Sequence, residues 1–113
     1  MENVLEDVQA TYLSLDAQYS VLLAGCRNQD ERDALGVQYA TAQQNYQTAL
    51  NKMLSDDDPV VAALDKQLKA ANLLVVRATL ELGNISAVID NITTAIALGS
   101  TLVKKAAAGT LLL

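Results

Sequence analysis

Apolar residues recur along this chain at alternating intervals of three and four. The first run is Leu5, Val8, Tyr12, Leu15, Tyr19, Leu22 and Cys26, the seam expected of a coiled-coil-like helix. It stops at an unbroken polar stretch from Arg27 to Asp33. Within that stretch Asn28 and Glu31 have the N-cap to N3 spacing of a capping box, so the pattern predicts one helix over about 2–27 and a second over about 29–54. The second stripe is Leu35, Tyr39, Ala42, Tyr46, Ala49 and Met53.

These two stripes fit an antiparallel hairpin in one register. With the turn centred near residue 29, facing positions have numbers that sum to about 58. Tyr12 then faces Tyr46, Tyr19 faces Tyr39, and Leu5 faces Met53, so all four tyrosines of the protein fall into two cross-helix layers. Such layers read as core with hydroxyls reaching the rim, in preference to an aromatic ligand pocket.

The next turn is Ser55-Asp56-Asp57-Asp58-Pro59. Proline suits the first turn of a helix, and the aspartates complement the positive end of its dipole. The three aspartates lack the alternating spacing and distal glutamate of a calcium loop, so they read as a cap and no metal ligand is assigned. From Val61 the stripe continues through Leu64, Leu68, Ala71, Val75, Ala78, Leu82, Ile85, Ile89, Ile92, Ile96, Gly99, Val103 and Ala106 without a phase slip. It passes straight across Gly83-Asn84, a pair that otherwise reads as a helix end and a turn.

Two all-α architectures therefore compete within a single helical domain spanning 1–113. In one, an antiparallel hairpin packs on a long C-terminal helix over about 59–108, roughly 75 Å in length. In the other, the chain turns at Gly83-Asn84 and closes a four-helix up-down bundle. Charge placement favours the long helix. Acids open and bases close each expected helix: Glu2, Glu6 and Asp7 with Arg27, Asp30 and Glu31 with Lys52, Asp56 to Asp58 with Lys104 and Lys105. A break at Gly83 would leave Glu81 in a last turn, which is the wrong sign.

A helix of that length outruns its cover. The hairpin reaches only its first half, leaving Ile85, Val88, Ile89, Ile92, Ile96, Gly99, Leu102 and Val103, and then Leu111, Leu112 and Leu113, without an intrachain partner. An exposed stripe of that extent calls for self-association or a partner helix. These residues are the expected interface; the bundle alternative buries the same stripe within the chain. Asn84-Ile85-Ser86 and Asn91-Ile92-Thr93 match the glycosylation acceptor pattern. Placed beside stripe isoleucines, they read instead as chance matches or as register-setting polar positions.

Composition narrows the chemistry. The chain is 51% hydrophobic and 19% charged, which makes a packed domain and not a disordered tail. Its net charge is −5, without a basic patch, so nucleic acid is not an expected partner. Histidine is absent, and the lone Cys26 has no imidazole beside it to make a nucleophile. No catalytic, cofactor-binding or metal-binding residue is assigned, and a non-enzymatic role is expected. Asp16, Asp65 and Asp90 sit singly on expected helices and read as solvent-facing or, for Asp90, as an interface group.

The acidic start carries no signal-peptide pattern. The most apolar stretch, Ile85–Val103, is interrupted by Asp90, Asn91, Thr93, Thr94, Gly99 and Ser100, so no transmembrane span is expected. Synthesis in the cytoplasm follows, with any export using a route that reads no classical signal.

Asp57-Asp58-Pro59 opening a long C-terminal helix, with Ser100-Thr101-Leu102-Val103-Lys104-Lys105 and a leucine-rich end, resembles the needle and inner-rod subunits of type III secretion systems. The resemblance covers the second half of the chain. The distance from turn to end is longer here and the N-terminal hairpin is extra. It implies a signal-less exported subunit whose C-terminal helix lines an assembly. The expected function is accordingly a structural subunit that self-associates through its apolar heptad stripes. The alternative is a small acidic adaptor, chaperone or immunity-type protein that binds a partner helix.

Overall fold

The computed structural model describes residues 4–51 and 59–111, with side chains at all of these except 79, 81, 82 and 107–111. Four α-helices follow one another: α1 Val4–Gly25, α2 Gln29–Asn51, α3 Pro59–Val76 and α4 Ile85–Leu111. A 3-10 helix over Ala78–Asn84 joins α3 to α4.

The turn between α1 and α2 falls where the capping spacing put it. Asn28 Oδ1 accepts a hydrogen bond from the Glu31 N–H at 2.9 Å. Glu31 reaches one residue further back than a simple capping box does, and its Oε1 accepts from the Arg27 N–H at 2.7 Å. The hairpin register is the expected one. Tyr12 stacks on Tyr46 with ring centroids 5.6 Å apart, and Tyr19 on Tyr39 at 4.6 Å. The third pair, Leu5 with Met53, and the Ser55 to Asp58 cap both involve positions outside the described residues.

Contacts fix the directions of the other two helices. Asp7, Thr11 and Gln18 of α1 meet Lys69, Asn72 and Val75 of α3 in that order, so α3 runs parallel to α1. Glu31 and Asn45 of α2 meet Ser86 and Ser100 of α4, so α4 runs parallel to α2. Helix α1 packs on α2 and α3, while α4 packs on α2, α3 and also α1. Among the described residues α2 and α3 do not touch. The cross-section is a rhombus with α1 and α4 on its short diagonal.

The structure thus takes the four-helix alternative, and the continuous helix over 59–108 is corrected. The longest dimension of the molecule is 47 Å, too short for a straight helix of about 75 Å. Magnitudes explain why charge placement pointed the wrong way. A helix-end charge contributes about 0.3–1 kcal/mol, whereas each large apolar side chain taken from water contributes about 1.5–3 kcal/mol. Folding back covers many such side chains at once: Ile85, Val88, Ile89, Ile92, Ile96, Leu102 and Val103 are all buried.

The seam on α1 is wider than the sequence stripe. Val4, Val8, Thr11, Leu15 and Leu22 are buried, while Leu5, Tyr12 and Tyr19 are half-buried. One set of heptad positions faces α3 and α4, and the neighbouring set faces α2. A helix with partners on two sides needs this broader face.

Candidate functional site

The residues from Ile85 to Val103 assigned to an interface lie along α4 and point inward. Ile92 and Leu102 are fully buried, and Ile85, Val88, Ile96 and Val103 nearly so. Gly99 is buried as well, and a Cβ there would meet Asn45 Nδ2 at 3.5 Å, an ordinary contact. Leu111 ends α4; its side chain, and the whole of Leu112 and Leu113, lie outside the described residues. The cover that the stripe required is therefore supplied by α1, α2 and α3 of the same chain. By length and composition Ile85–Ala106 is nonetheless apolar enough to cross a membrane, with a mean hydropathy of 1.3. In the bundle it is the core helix.

Apolar surface remains elsewhere. Leu73 (65% exposed), Leu74, Val76 and Leu80 (81% exposed) lie together at the end of α3 and in the 3-10 segment. Exposed single leucines are ordinary on protein surfaces, but four large apolar side chains within eight positions form a patch. Sequence periodicity missed it because these residues lie off the heptad stripe.

A polar seam joins α1 to α3. The Thr11 hydroxyl donates to Asn72 Oδ1 at 2.6 Å, and Asn72 Nδ2 donates to the Asp7 carbonyl at 3.0 Å. Both side chains are buried. Gln18 Nε2 donates to the Val75 carbonyl at 2.7 Å, one of the last carbonyls of α3, which a helix leaves open. Asp65, expected to face solvent, is instead completely buried. Lys69 Nζ lies 3.7 Å from its Oδ2 and 2.6 Å from Asp7 Oδ2, and the cation one turn along α3 is what makes burial of the carboxylate tolerable. The correction has a physical reason: Asp65 stands seven residues before Asn72 on α3, on the buried face turned toward α1, where Lys69 pairs with Asp7. Asp16 and Asp90 are exposed as expected.

The tyrosines form one column. Tyr12 also stacks on Tyr39 at 5.8 Å, so the order is Tyr19, Tyr39, Tyr12, Tyr46. All four rings are half-buried, and the Tyr39 and Tyr46 hydroxyls have polar partners at the rim. Tyr39 donates to Asp16 Oδ1, and Gln9 Nε2 donates to the Tyr46 oxygen at 3.2 Å. The Asp16 carboxylate, then the hydrogen bond with Tyr12, holds the Tyr39 phenol well above its ordinary pKa.

A third cluster ties the hairpin turn to α4. Arg27 Nη2 lies 2.9 Å from Glu31 Oε2 and donates to Ser86 Oγ at 2.8 Å. Hydrogen bonding from the Arg27 side chain, then from its backbone N–H, lowers the Glu31 pKa. The cluster is exposed, so it positions groups more than it stabilises. Nearby Cys26 is buried, and burial pushes its thiol pKa up, with Glu31 adding to the effect and Arg32 opposing it. Its S–H donates to the Leu22 carbonyl at 3.4 Å. A raised pKa and a covered sulfur make an inert thiol.

Among the described residues no three His, Cys, Asp or Glu side chains converge as a metal site requires. Glycosylation-like Asn84 is exposed at the end of the 3-10 segment, and Asn91 is half-buried on α4. No family model matches the chain, and no curated protein or solved structure matches it either.

Proposed function

We propose that this chain is a non-enzymatic interaction protein: a small acidic four-helix bundle that works by offering helix surface to another protein, as an adaptor, chaperone or immunity-type protein does. One observation carries this reading. The apolar stripe Ile85–Val103 is buried in cis, so its burial needs no open-ended assembly, while Leu73, Leu74, Val76 and Leu80 stay exposed within eight positions of one another, a concentration of apolar surface of the kind that marks protein contact sites. The polar clusters support the same reading, since each links one helix to another.

The second reading, a self-associating structural subunit of a needle or rod, draws on the unbroken heptad phase across the α3–α4 junction. Light scattering on the full chain over a concentration series separates the two. A compact species of fixed small mass supports the interaction module. Particles that grow with concentration would overturn it in favour of the structural subunit.

A further inference from the structure

The junction between α3 and α4 combines four features that are seldom found together. The heptad phase runs through it without a slip, from Val75 and Ala78 to Leu82 and Ile85. Arg77, at φ −89°, ψ 4°, breaks α3, but beyond it the backbone is helical again, as a 3-10 segment over Ala78–Asn84, with Ile85 at φ −60°, ψ −32° and no described residue at positive φ. Gly83 has open space on its side-chain side, for no heavy atom lies within 4 Å of where its Cβ would be. Finally, Leu73, Val76 and Leu80 are all exposed at this junction, at intervals of three and four that would set them on one face of a continuous helix.

A turn built around a left-handed residue or a proline would resist becoming helix. This one resists little. A 3-10 run of such length has poorer hydrogen bonds than the α-helix it interrupts. Straightening it carries α4 away from its own bundle and empties the groove between α2 and α3. Only one object fits that groove with every core contact intact, and that is α4 of a second copy.

We infer that this chain forms a two-fold dimer by exchanging α4, with residues 77–84 of each copy straightened into continuous α3–α4 helix. Each bundle is then rebuilt with the same interior, Ile92, Ile96 and Leu102 included. The two straightened junctions cross near the symmetry axis and run antiparallel. There Leu73, Val76 and Leu80 of one copy meet the same residues of the other. The closed chain leaves that face uncovered, and exchange covers it with its own equivalent, the self-complementarity that a two-fold contact demands. The partner is therefore a second copy of this chain. The exchange goes beyond the interaction reading above and does not depend on it: a chain that stays monomeric could still bind a different protein.

The Asn45–Ser100 contact, at 3.0 Å between side chains of α2 and α4, provides the test. The full chain carrying Cys26→Ala, Asn45→Cys and Ser100→Cys is partly unfolded, refolded at high concentration, oxidised and separated by size. The dimer fraction, run on a denaturing gel without reductant, is expected at twice the chain mass, because the bond joins α2 of one copy to α4 of the other. The monomer fraction is expected as single chains. Gly83→Ala, whose methyl meets nothing in the closed form, is expected to raise the association constant by roughly tenfold through two better helix formers per dimer. Leu80→Glu, at a position 81% exposed, should preserve the monomer fold by circular dichroism and reduce the dimer. A dimer that falls apart into internally cross-linked chains would overturn exchange, as would an absence of dimer from both the parent and Gly83→Ala proteins.

Discussion

Thr11 on α1 and Asn72 on α3 hold each other across the bundle interior, hydroxyl to amide oxygen at 2.6 Å, with each side chain less than a tenth exposed. Neither helix has a purely apolar face at this point. The amide spans from the hydroxyl to the Asp7 carbonyl, so the pair fixes how α3 is set along α1. Slippage by one turn would leave buried polar atoms without partners.

Asn72→Ala should therefore lower stability by about 1–3 kcal/mol, the range for stranding buried polar groups. Thr11→Val combined with Asn72→Leu should lose less than the sum of the two single changes, since the pair is removed together. Urea unfolding of the four proteins measures this. Strict additivity would mean that the two groups do not depend on one another.

The Asp16 carboxylate gives Tyr39 a signature in alkali. Its phenol pKa is raised in the folded chain, so the stabilisation is fully present below the ordinary tyrosine value, about 10, and fades as pH rises beyond it. Absorbance titration of the folded protein should show a late step, from Tyr39, above the ordinary tyrosine value. Tyr39→Phe should remove that late step and flatten the loss of stability above the ordinary value. A late step that survives the substitution belongs to another ring.

Glu31 has the opposite sign. Its folded pKa is lowered by Arg27, so its contribution is present above the ordinary glutamate value, about 4.3, and disappears as pH falls through the lowered one. Parent and Glu31→Gln proteins should differ at neutral pH and converge in acid. Asn28→Ala, which removes the cap itself, should cost about 1 kcal/mol with little dependence on pH. Chemical denaturation at several pH values distinguishes the two.

Substitutions on the two apolar surfaces should separate cleanly. Ile92 is fully buried, and Ile92→Ala should cost about 2–5 kcal/mol. Leu80→Ala, far out in solvent, should stay within about 0.5 kcal/mol of the parent. If the α4 stripe served mainly to join separate chains, Ile92→Ala would change assembly size and leave the unfolding midpoint of the isolated chain almost where it was.

The hairpin was legible because its information is local. One polar turn and two heptad stripes leave a single register, and the Tyr12–Tyr46 and Tyr19–Tyr39 pairs follow from it. The α3–α4 junction was not, since a phase that continues through residues 78–84 is compatible with either a straight helix or a reversal. What decides between them is the cover available to Ile85–Val103, and periodicity says which residues are buried without saying against what. Thr11, Gln18, Asp65 and Asn72 were hidden for another reason. A polar residue on a helix looks like surface until a partner with matching groups arrives, and for Thr11, Gln18 and Asn72 that partner lies more than fifty positions away along the chain. The exposed Leu73 and Leu80 stand off the heptad stripe, and periodicity follows the stripe and not the residues beside it.

The rhombic cross-section governs how disturbances travel. Since α2 and α3 never meet among the described residues, a substitution on one can be felt by the other only by way of α1 or α4. Paired changes on α2 and α3 should add independently, while pairs across the short diagonal should show energetic coupling. Helix α4 adjoins α1, α2, α3 and the 3-10 segment alike. It is the common thermodynamic neighbour of every other element, so anything that draws it out of place reports to the whole bundle at once.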